Sequence, residues 1–313
     1  MIWVAGGFAL VVLVAALLPR YLELRRQPVT KRERQDTDGG FVGTSRGLTH
    51  YRILGPTRGP FVVCVHGLTT PSAVFEGLAV HLARMGFRVL VYDLYGRGLS
   101  ARPHGRQTPE FFTLQLRELL DDLNLTEELT LVGYSMGGAI AAAFAAEEDH
   151  RLRRIVLLAP AGMATTLGRE ADWAAKMPGL GDWLFHMAFP RAQRAAIEAE
   201  RGIPSEVEGI AEVQTGELTR RGYVRSVLSS LRYTLSEPME AAHRSIAAGG
   251  LPVLAIWGRE DAQIPLRAMS LLTEWNRNAR QEVIDGAGHG LPYTHAAEVA
   301  ALVARELEDE RHR

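Results

Sequence analysis

Residues 129–138 read LTLVGYSMGG, and this stretch decides the fold. The apolar run at its start predicts a buried strand, and the small residues from Met136 to Ala146 predict a helix. Between them Gly133, Ser135 and Gly137 form a G-x-S-x-G pattern, typical of a sharp strand-to-helix turn whose crowded backbone needs glycine. Such a turn holds a serine hydroxyl near the positive end of the next helix. We therefore predict that Ser135 is a nucleophile.

The rest of the chain alternates between apolar strands and amphipathic helices. Further strands are predicted at residues 48–54, 61–65, 89–92, 155–158, 253–257 and 282–284, and further helices at residues 72–85, 109–124 and 295–308. This alternation predicts an α/β fold with a mostly parallel central sheet flanked by helices. From residue 163 to residue 248 the pattern is wholly helical, so we predict a helical cap inserted between two parts of the core, residues 47–162 and 249–313.

The N-terminal residues differ in composition from the rest. Residues 2–18, IWVAGGFALVVLVAALL, carry no charge, and basic residues follow this run instead of preceding it as in a signal peptide. A helix of this length is about 25 Å long, close to the thickness of a hydrocarbon core. We therefore predict a membrane anchor at residues 1–22 and a linker at residues 23–46, with the catalytic body on the cytoplasmic side. A buried core helix is the alternative, and it would normally show a polar face.

Composition argues against several other classes of protein. The 313 residues carry a formal net charge of -1 and no basic stripe, so no nucleic-acid partner is predicted. Cys64 is the sole cysteine, and its apolar setting predicts a buried structural thiol. The sequence has no metal-ligand spacing, and we predict neither a metal nor an organic cofactor.

The strand, the G-x-S-x-G turn and the helix resemble the α/β-hydrolase superfamily, from about residue 48 to the C-terminal helix. The resemblance implies an α/β-hydrolase fold with an oxyanion hole formed by the backbone N–H groups of Leu68 and Met136. It also identifies residues 93–100, DLYGRGLS, with the family's D-x-x-G-x-G-x-S turn. We expect this turn, and the side chain of His66 near Leu68, to be structural.

The same resemblance implies the other two members of a catalytic triad. Asp261 lies in a G-x-x-D loop after a strong apolar strand, where the family places its acid; Glu260 and Asp285 are the alternatives. His289 lies in the loop GAGHG after the last strand, where the family places its base. The order serine, aspartate, histidine along the chain is that of the α/β hydrolases. His289 is then the general base for Ser135, and Asp261 orients it.

These residues predict a serine hydrolase that cleaves carboxylic esters through an acyl-enzyme on Ser135. A serine at this position argues against the relatives that use aspartate to cleave epoxides or carbon–halogen bonds. A carbon–carbon bond hydrolase of the meta-cleavage type is the alternative enzyme, because its triad and cap are similar. A non-catalytic binder that keeps the fold is the alternative class, and an intact triad argues against it.

The predicted cap bears on the substrate. Its apolar side chains either bury the cap against the core or line a tunnel for an acyl chain; they are Trp173, Met177, Trp183, Phe185, Met187 and Phe189. With the predicted anchor, the sequence resembles membrane-bound monoacylglycerol lipases. This resemblance implies lipophilic acyl esters such as monoacylglycerols as substrates.

Overall fold

The computed structural model describes residues 2–164 and 169–311, and an eight-stranded sheet forms its centre. The strands are β1 (Gly40–Thr44), β2 (Gly47–Leu54), β3 (Phe61–Val65), β4 (Arg88–Tyr92), β5 (Leu129–Tyr134), β6 (Leu152–Leu158), β7 (Val253–Gly258) and β8 (Arg280–Ile284). Their order across the sheet is β1-β2-β4-β3-β5-β6-β7-β8. The pairs β1–β2 and β2–β4 are antiparallel, and every later pair is parallel.

Helices connect most of the strands. They are α1 (Ile2–Arg25), α2 (Lys31–Gln35), α3 (Glu76–Arg84), α4 (Pro109–Asp122), α5 (Met136–Glu147), α6 (Arg169–Lys176), α7 (Leu180–Glu200), α8 (Ile210–Glu217), α9 (Tyr223–Tyr233), α10 (Glu240–Gly249), α11 (Arg267–Trp275), α12 (Leu291–Thr294) and α13 (Ala296–Arg311). Short 3-10 turns at Ser72–Phe75 and Asp149–Arg151 precede α3 and β6.

Apolar side chains cover both faces of the sheet. Successive residues of β3 point to opposite faces, so Val63 and Val65 lie in one buried cluster and Val62 and Cys64 in another. Residues of α4, α5, α10 and α11 complete the first cluster, and residues of α3 and α13 complete the second. Strands buried on both faces are continuous apolar runs, which is why the sequence pattern located them. The predicted α/β architecture with a mostly parallel sheet is confirmed.

Between β6 and β7 the chain forms α6 to α10, so the predicted helical insertion is confirmed. Helices α6 to α9, residues 169–233, share an apolar cluster of their own and are called the cap below. In that cluster Phe185 stacks on Phe189, with ring centroids 4.6 Å apart. The boundaries 163–248 stay a prediction, and residues 165–168 lie outside the described residues.

The predicted membrane anchor at residues 1–22 is wrong, and with it the predicted membrane-anchored, cytoplasmic placement of the body. In the part of the chain that the structure describes, no helix combines the length and the apolar character needed to cross a membrane. Helix α1 covers the stretch, but its charge-free part gives only about 25 Å of helix against a hydrocarbon core of about 30 Å. Pro19, Arg20 and Glu23 follow within the same helix. Met1 and the side chains of residues 2–12 lie outside the described residues.

The N-terminal segment lies against the cap. The indole Nε1–H of Trp183 donates to the backbone oxygen of Ala15 at 2.7 Å. Further along, Gln27 forms a parallel β-bridge with Arg220. The predicted linker, residues 23–46, contains α2 and the edge strand β1, and a capping box at Thr30 starts α2.

Candidate active site

Ser135 lies on a sharp turn between β5 and α5. Its backbone has φ 53° and ψ -119°, a conformation that residues other than glycine rarely adopt. A Cβ on Gly137 would lie 2.0 Å from the carbonyl oxygen of Val65, and a Cβ on Gly133 would lie 2.4 Å from that of Gly137. Only glycine fits at these two positions, and the turn therefore holds Ser135 directly before the positive end of α5.

The structure brings Ser135, His289 and Asp261 together in one chain of hydrogen bonds. His289 Nε2 is 2.9 Å from Ser135 Oγ, and His289 Nδ1 is 2.8 Å from Asp261 Oδ2. The Asp261 carboxylate can only accept, so Nδ1 carries the proton and Nε2 accepts from the serine hydroxyl. The other carboxylate oxygen, Oδ1, accepts from the backbone N–H groups of Gln263 at 2.7 Å and Ile264 at 2.8 Å.

Two neighbouring loops carry the acid and the base. Asp261 follows β7 and its side chain is fully buried, whereas His289 follows β8 and keeps 12% of its side chain exposed. The loops lie close together, since a Cβ on Gly258 would lie 2.4 Å from the backbone oxygen of Ala287. The backbone N–H of Glu260 donates to the same oxygen at 3.0 Å. This contact sets the position of the acid relative to the base.

The two alternative acids lie elsewhere. Asp285 forms an ion pair with Arg259 and its side chain is 78% exposed. Glu260 is exposed to solvent beside Asp261. Of the three carboxylates, Asp261 is the one that contacts His289.

The two expected oxyanion donors lie on either side of the nucleophile. Met136 is the first residue of α5, where a backbone N–H has no carbonyl partner within its helix. Leu68 lies in the loop after β3, and this loop touches the turn, because a Cβ on Gly67 would lie 3.2 Å from the Cβ of Ser135. Their role as donors stays a prediction.

His66 holds the loop that contains Leu68. Burial lowers the pKa of His66 to about 4, so the ring is neutral. Its Nδ1 lies 2.8 Å from the backbone oxygen of Gly67, and its Nε2 accepts from the backbone N–H of Leu94 at 2.9 Å. Both ring nitrogens therefore contact backbone groups, and His66 has a structural role in this geometry.

The D-x-x-G-x-G-x-S turn is held by Asp93, whose buried carboxylate accepts from Ser72 and from the backbone of Leu99. Burial opposes the charge on Asp93, but the hydrogen bond from His50 and the other polar neighbours of the carboxylate hold the pKa of Asp93 below its usual range.

Arg97 reaches beyond the turn. The guanidinium of Arg97 donates to the backbone oxygen of Leu68 at 2.9 Å. It also contacts Ser230 of the cap.

That cap contact is a hydrogen bond from Arg97 Nη2 to Ser230 Oγ of α9, at 2.9 Å. Arg97 Nη1 donates to Gln107 at 2.8 Å, and Ser230 donates to the same Gln107 oxygen at 2.7 Å. Burial lowers the pKa of Arg97 to about 10, which leaves the guanidinium protonated. The sequence pattern placed Arg97 in a turn, but could not reveal its link between the loop of Leu68 and the cap.

A cavity of about 380 Å³ lies between the cap and the loop that carries His289. Its lining includes Glu200 of α7 and Gln214 of α8, and Tyr293 of α12. The Tyr293 hydroxyl donates to Glu200 Oε2 at 3.4 Å. These residues lack any motif in the sequence, and only the fold brings them to the candidate site.

The apolar residues of the predicted cap have different surroundings. None of the six lines the cavity beside His289. Phe185 is 3% exposed and belongs to the apolar cluster of the cap, where Phe189 packs against it, whereas Trp173 and Met177 are 42% and 37% exposed. Phe185 and Phe189 therefore pack inside the cap. This agrees with a structural role for them and not with a place in the wall of this cavity.

The sole cysteine, Cys64, is out of reach of solvent. Burial raises the pKa of the Cys64 thiol, and the residue is fully buried within the sheet. Among residues 2–164 and 169–311, no three His, Cys, Asp or Glu side chains are grouped so that they could hold a metal ion.

Comparison with known proteins identifies the family. The family model described as alpha/beta hydrolase fold matches residues 60–296. The chain is 30% identical over 230 residues to a 2-hydroxymuconate semialdehyde hydrolase of Pseudomonas sp. (strain CF600), covering 71% of this chain and 77% of the relative. It is 25% identical over 263 residues to a pimeloyl-[acyl-carrier protein] methyl ester esterase of Vibrio campbellii, covering 82% and 97%.

A solved structure agrees in fold. The enol-lactonase from Burkholderia xenovorans superposes with a TM-score of 0.70 at 21% identity, covering 86% of this chain and 100% of the lactonase. The sheet order, the strand-to-helix turn at Ser135 and the match over residues 60–296 all agree. The chain therefore belongs to the α/β-hydrolase fold family.

Proposed function

We propose that this protein is a serine hydrolase that cleaves carboxylic esters through an acyl-enzyme on Ser135. The observation that carries the proposal is the continuous hydrogen-bond chain from Ser135 Oγ through His289 to Asp261, with distances of 2.9 Å and 2.8 Å. A serine hydroxyl becomes an effective nucleophile only when a base takes its proton in the transition state. Asp261 holds the Nδ1–H of His289, so that the Nε2 lone pair faces the serine.

The reaction proceeds in two halves. Ser135 Oγ attacks the ester carbonyl carbon as its proton passes to His289 Nε2, and the carbonyl π electrons move to the oxygen. The tetrahedral intermediate collapses, the bond to the alcohol oxygen breaks, and His289 gives that oxygen its proton. Water then attacks the acyl-enzyme with His289 as base, which releases the acid and restores Ser135.

The negative oxygen of the intermediate needs two donors. In this proposal they are the backbone N–H groups of Leu68 and Met136; Met136 follows Ser135 in the chain, and the loop of Leu68 approaches Ser135 at Gly67. One such donor contributes about 3 kcal/mol to the stability of the transition state. The peptide unit that carries the Leu68 N–H ends in the carbonyl of Gly67, which lies 2.8 Å from His66 Nδ1, and Arg97 binds the next carbonyl, that of Leu68.

The acyl half of the substrate is proposed to be lipophilic, as in monoacylglycerols. Leu68 and Leu235 support this, because both are partly buried and pack against the core cluster and against the cap cluster. Apolar side chains therefore meet where the core and the cap join, beside an expected oxyanion donor. The relative from Vibrio campbellii is named as a methyl ester esterase, which also supports ester hydrolysis.

Carbon–carbon bond hydrolysis is the second candidate. The relative from Pseudomonas is named as a 2-hydroxymuconate semialdehyde hydrolase and is 30% identical to this chain. The same serine, histidine and aspartate would serve that reaction. The two candidates therefore differ in the substrate and not in the triad.

A panel of p-nitrophenyl esters with acyl chains of two to sixteen carbons tests the proposal, with Ser135→Ala as control. A fluorophosphonate probe reports separately on the reactivity of Ser135. 2-Hydroxymuconate semialdehyde is assayed in parallel by the loss of its conjugated chromophore.

We expect Ser135-dependent hydrolysis that rises toward longer chains, together with probe labelling that Ser135→Ala abolishes. Activity on short esters alone would remove the lipophilic acyl group from the proposal. Labelling without hydrolysis of any ester, accompanied by turnover of the semialdehyde, would replace the ester with the carbon–carbon bond. Absence of labelling would refute the serine mechanism itself.

A further inference from the structure

We propose that the cavity beside His289 receives the alcohol half of the ester, and that it selects hydroxylated, uncharged alcohols such as glycerol over apolar or anionic ones. This inference rests on the proposed function, because only an ester leaves an alcohol. The cavity has a volume of about 380 Å³ and lies between residues 286–295 of the core and residues 197–214, which belong to the cap.

The position of the cavity matches the direction of proton transfer. His289 Nε2, 2.9 Å from Ser135 Oγ, gives its proton to the departing oxygen. The alcohol must therefore leave on the side of His289, and Gly288, His289 and Gly290 all line the cavity. The acyl half stays bonded to Ser135, beside the loop that carries Gly67 and Leu68. The two halves of the substrate thus meet different surroundings.

Hydrogen-bonding groups lie next to His289 in this cavity. The side chain of Tyr293 is buried, and its hydroxyl donates to Glu200 Oε2 at 3.4 Å. Burial and the nearby Glu200 raise the pKa of Tyr293, so the hydroxyl stays protonated. The Glu200 carboxylate has further lone pairs that can accept from hydroxyl groups of a ligand. An alkyl alcohol would displace water from these groups and offer them no partner.

The charged side chains that line the cavity distinguish neutral alcohols from anionic ones. Glu200, Glu208 and Glu212 line the cavity, against the single guanidinium of Arg201. Arg201 already pairs with Glu212 and with Glu198 outside the cavity. Within the described chain, Glu200 and Glu208 take part in no ion pair. All four side chains are exposed, so solvent screens this excess of negative charge, and it disfavours an anionic alcohol only modestly.

The volume suits a small polyol. About 380 Å³ lies near the lower end of the range of about 300–1,000 Å³ that is usual for small-molecule sites. Glycerol occupies only part of this space, so its free hydroxyls can reach Glu200 and Tyr293 through direct contacts or through one water molecule. The volume therefore admits glycerol, and the charge and the hydrogen-bonding groups of the lining favour it over acidic alcohols.

The test compares three octanoate esters that differ only in the alcohol: 1-octanoylglycerol, propyl octanoate and 3-(octanoyloxy)propanoate. Glu200→Gln and Tyr293→Phe are measured beside Arg194→Gln, which removes an exposed charge from the same helix but outside the cavity. Thermal unfolding of each variant checks that it is folded.

We expect the wild type to prefer the glycerol ester. Glu200→Gln should lower kcat/KM for the glycerol ester about tenfold, because a charge-assisted hydrogen bond is replaced by a neutral one, and change that for the propyl ester less than about twofold. The same variant should raise kcat/KM for the anionic ester about threefold. Tyr293→Phe should follow the same order for the glycerol and propyl esters, and Arg194→Gln should change none of the three.

Equal losses on the glycerol and propyl esters would overturn the inference, because Glu200 would then act on the fold or on the chemical step. A wild type that prefers the propyl ester would overturn it as well. Failure of the wild type to cleave any ester in a Ser135-dependent way would be a different result. It would overturn the proposed function, and the inference with it.

Discussion

Replacing Asp261 by asparagine tests the proposed triad, because it changes which ring nitrogen of His289 carries the proton. Asp261 Oδ1 accepts from the backbone N–H groups of Gln263 and Ile264 at 2.7 Å and 2.8 Å. An asparagine has one acceptor oxygen, and these two donors hold it in the Oδ1 position. The amide NH₂ then takes the Oδ2 position, 2.8 Å from His289 Nδ1.

Two donors cannot face each other, so His289 must release its Nδ1 proton and carry a proton on Nε2 instead. That nitrogen can then no longer accept the proton of Ser135. The alternative rotation of the amide would leave two buried N–H groups facing an NH₂ group, at about 1–3 kcal/mol each. The first arrangement therefore prevails, and it leaves Nε2 unable to act as the base. In serine proteases the equivalent change lowers kcat about 10⁴-fold, which corresponds to about 5 kcal/mol in the activation barrier.

The measurement is kcat for the best ester of the panel, together with thermal unfolding. We expect Asp261→Asn to lose about 10⁴-fold in kcat while remaining folded, because the substitution conserves shape at a fully buried side chain. Asp285→Asn and Glu260→Gln are the matched controls and should stay within about twofold of the wild type. If Asp261→Asn kept more than a tenth of the wild-type kcat, or if Asp285→Asn fell as far, the acid would have been assigned to the wrong residue.

Three further predictions concern stability. Gly137→Ala should lower the free energy of unfolding by about 1–3 kcal/mol or more, because its Cβ would lie 2.0 Å from the backbone oxygen of Val65. Urea unfolding measures this change. Gly216→Ala is the control, because a Cβ there would have no atom within 4 Å. Burial raises the pKa of Glu217 to about 7 from 4.5, so its neutral form stabilises the fold fully below pH 4.5 and this contribution is lost as the pH rises through about 7. Glu217→Gln should therefore gain up to about 3 kcal/mol over the wild type at pH 8 and almost nothing at pH 4.5, and an equal difference at both pH values would contradict it. Phe185→Ala should lower the free energy of unfolding by about 3–5 kcal/mol, because it leaves a cavity in the apolar cluster of the cap. A lower Tm would show this, and an unchanged Tm would mean that the cluster contributes little to stability.

Much of the sheet could be predicted because its strands are buried on both faces. Residues 61–65 are apolar throughout and residues 129–132 are apolar apart from Thr130, a pattern typical of short strands covered on both faces. The edge strand β1 escaped prediction because it has only two apolar residues, Phe41 and Val42, between glycines and a threonine. At an edge, backbone pairing with β2 makes the strand, and pairing leaves little trace in composition.

The N-terminal segment shows the opposite error. Its hydropathy, taken alone, indicated a membrane anchor, but the pattern says nothing about which surface the helix meets. In the structure Trp183, distant in sequence, donates to the backbone of Ala15, and Gln27 pairs with Arg220. Contacts between segments so far apart depend on the folded cap, and no local pattern encodes them.

The sequence by itself determined the α/β class, the strand-to-helix turn at Ser135 and the candidates Asp261 and His289. Each depends on local chemistry: glycines where the backbone is crowded, and polar residues directly after apolar strands whose carboxyl ends share one edge. Only the tertiary structure decided which carboxylate meets His289, how Arg97 joins the loop of Leu68 to the cap, and what lines the cavity beside the histidine. Those properties depend on distances between side chains far apart in the chain, and only the packing of the cap on the sheet sets such distances.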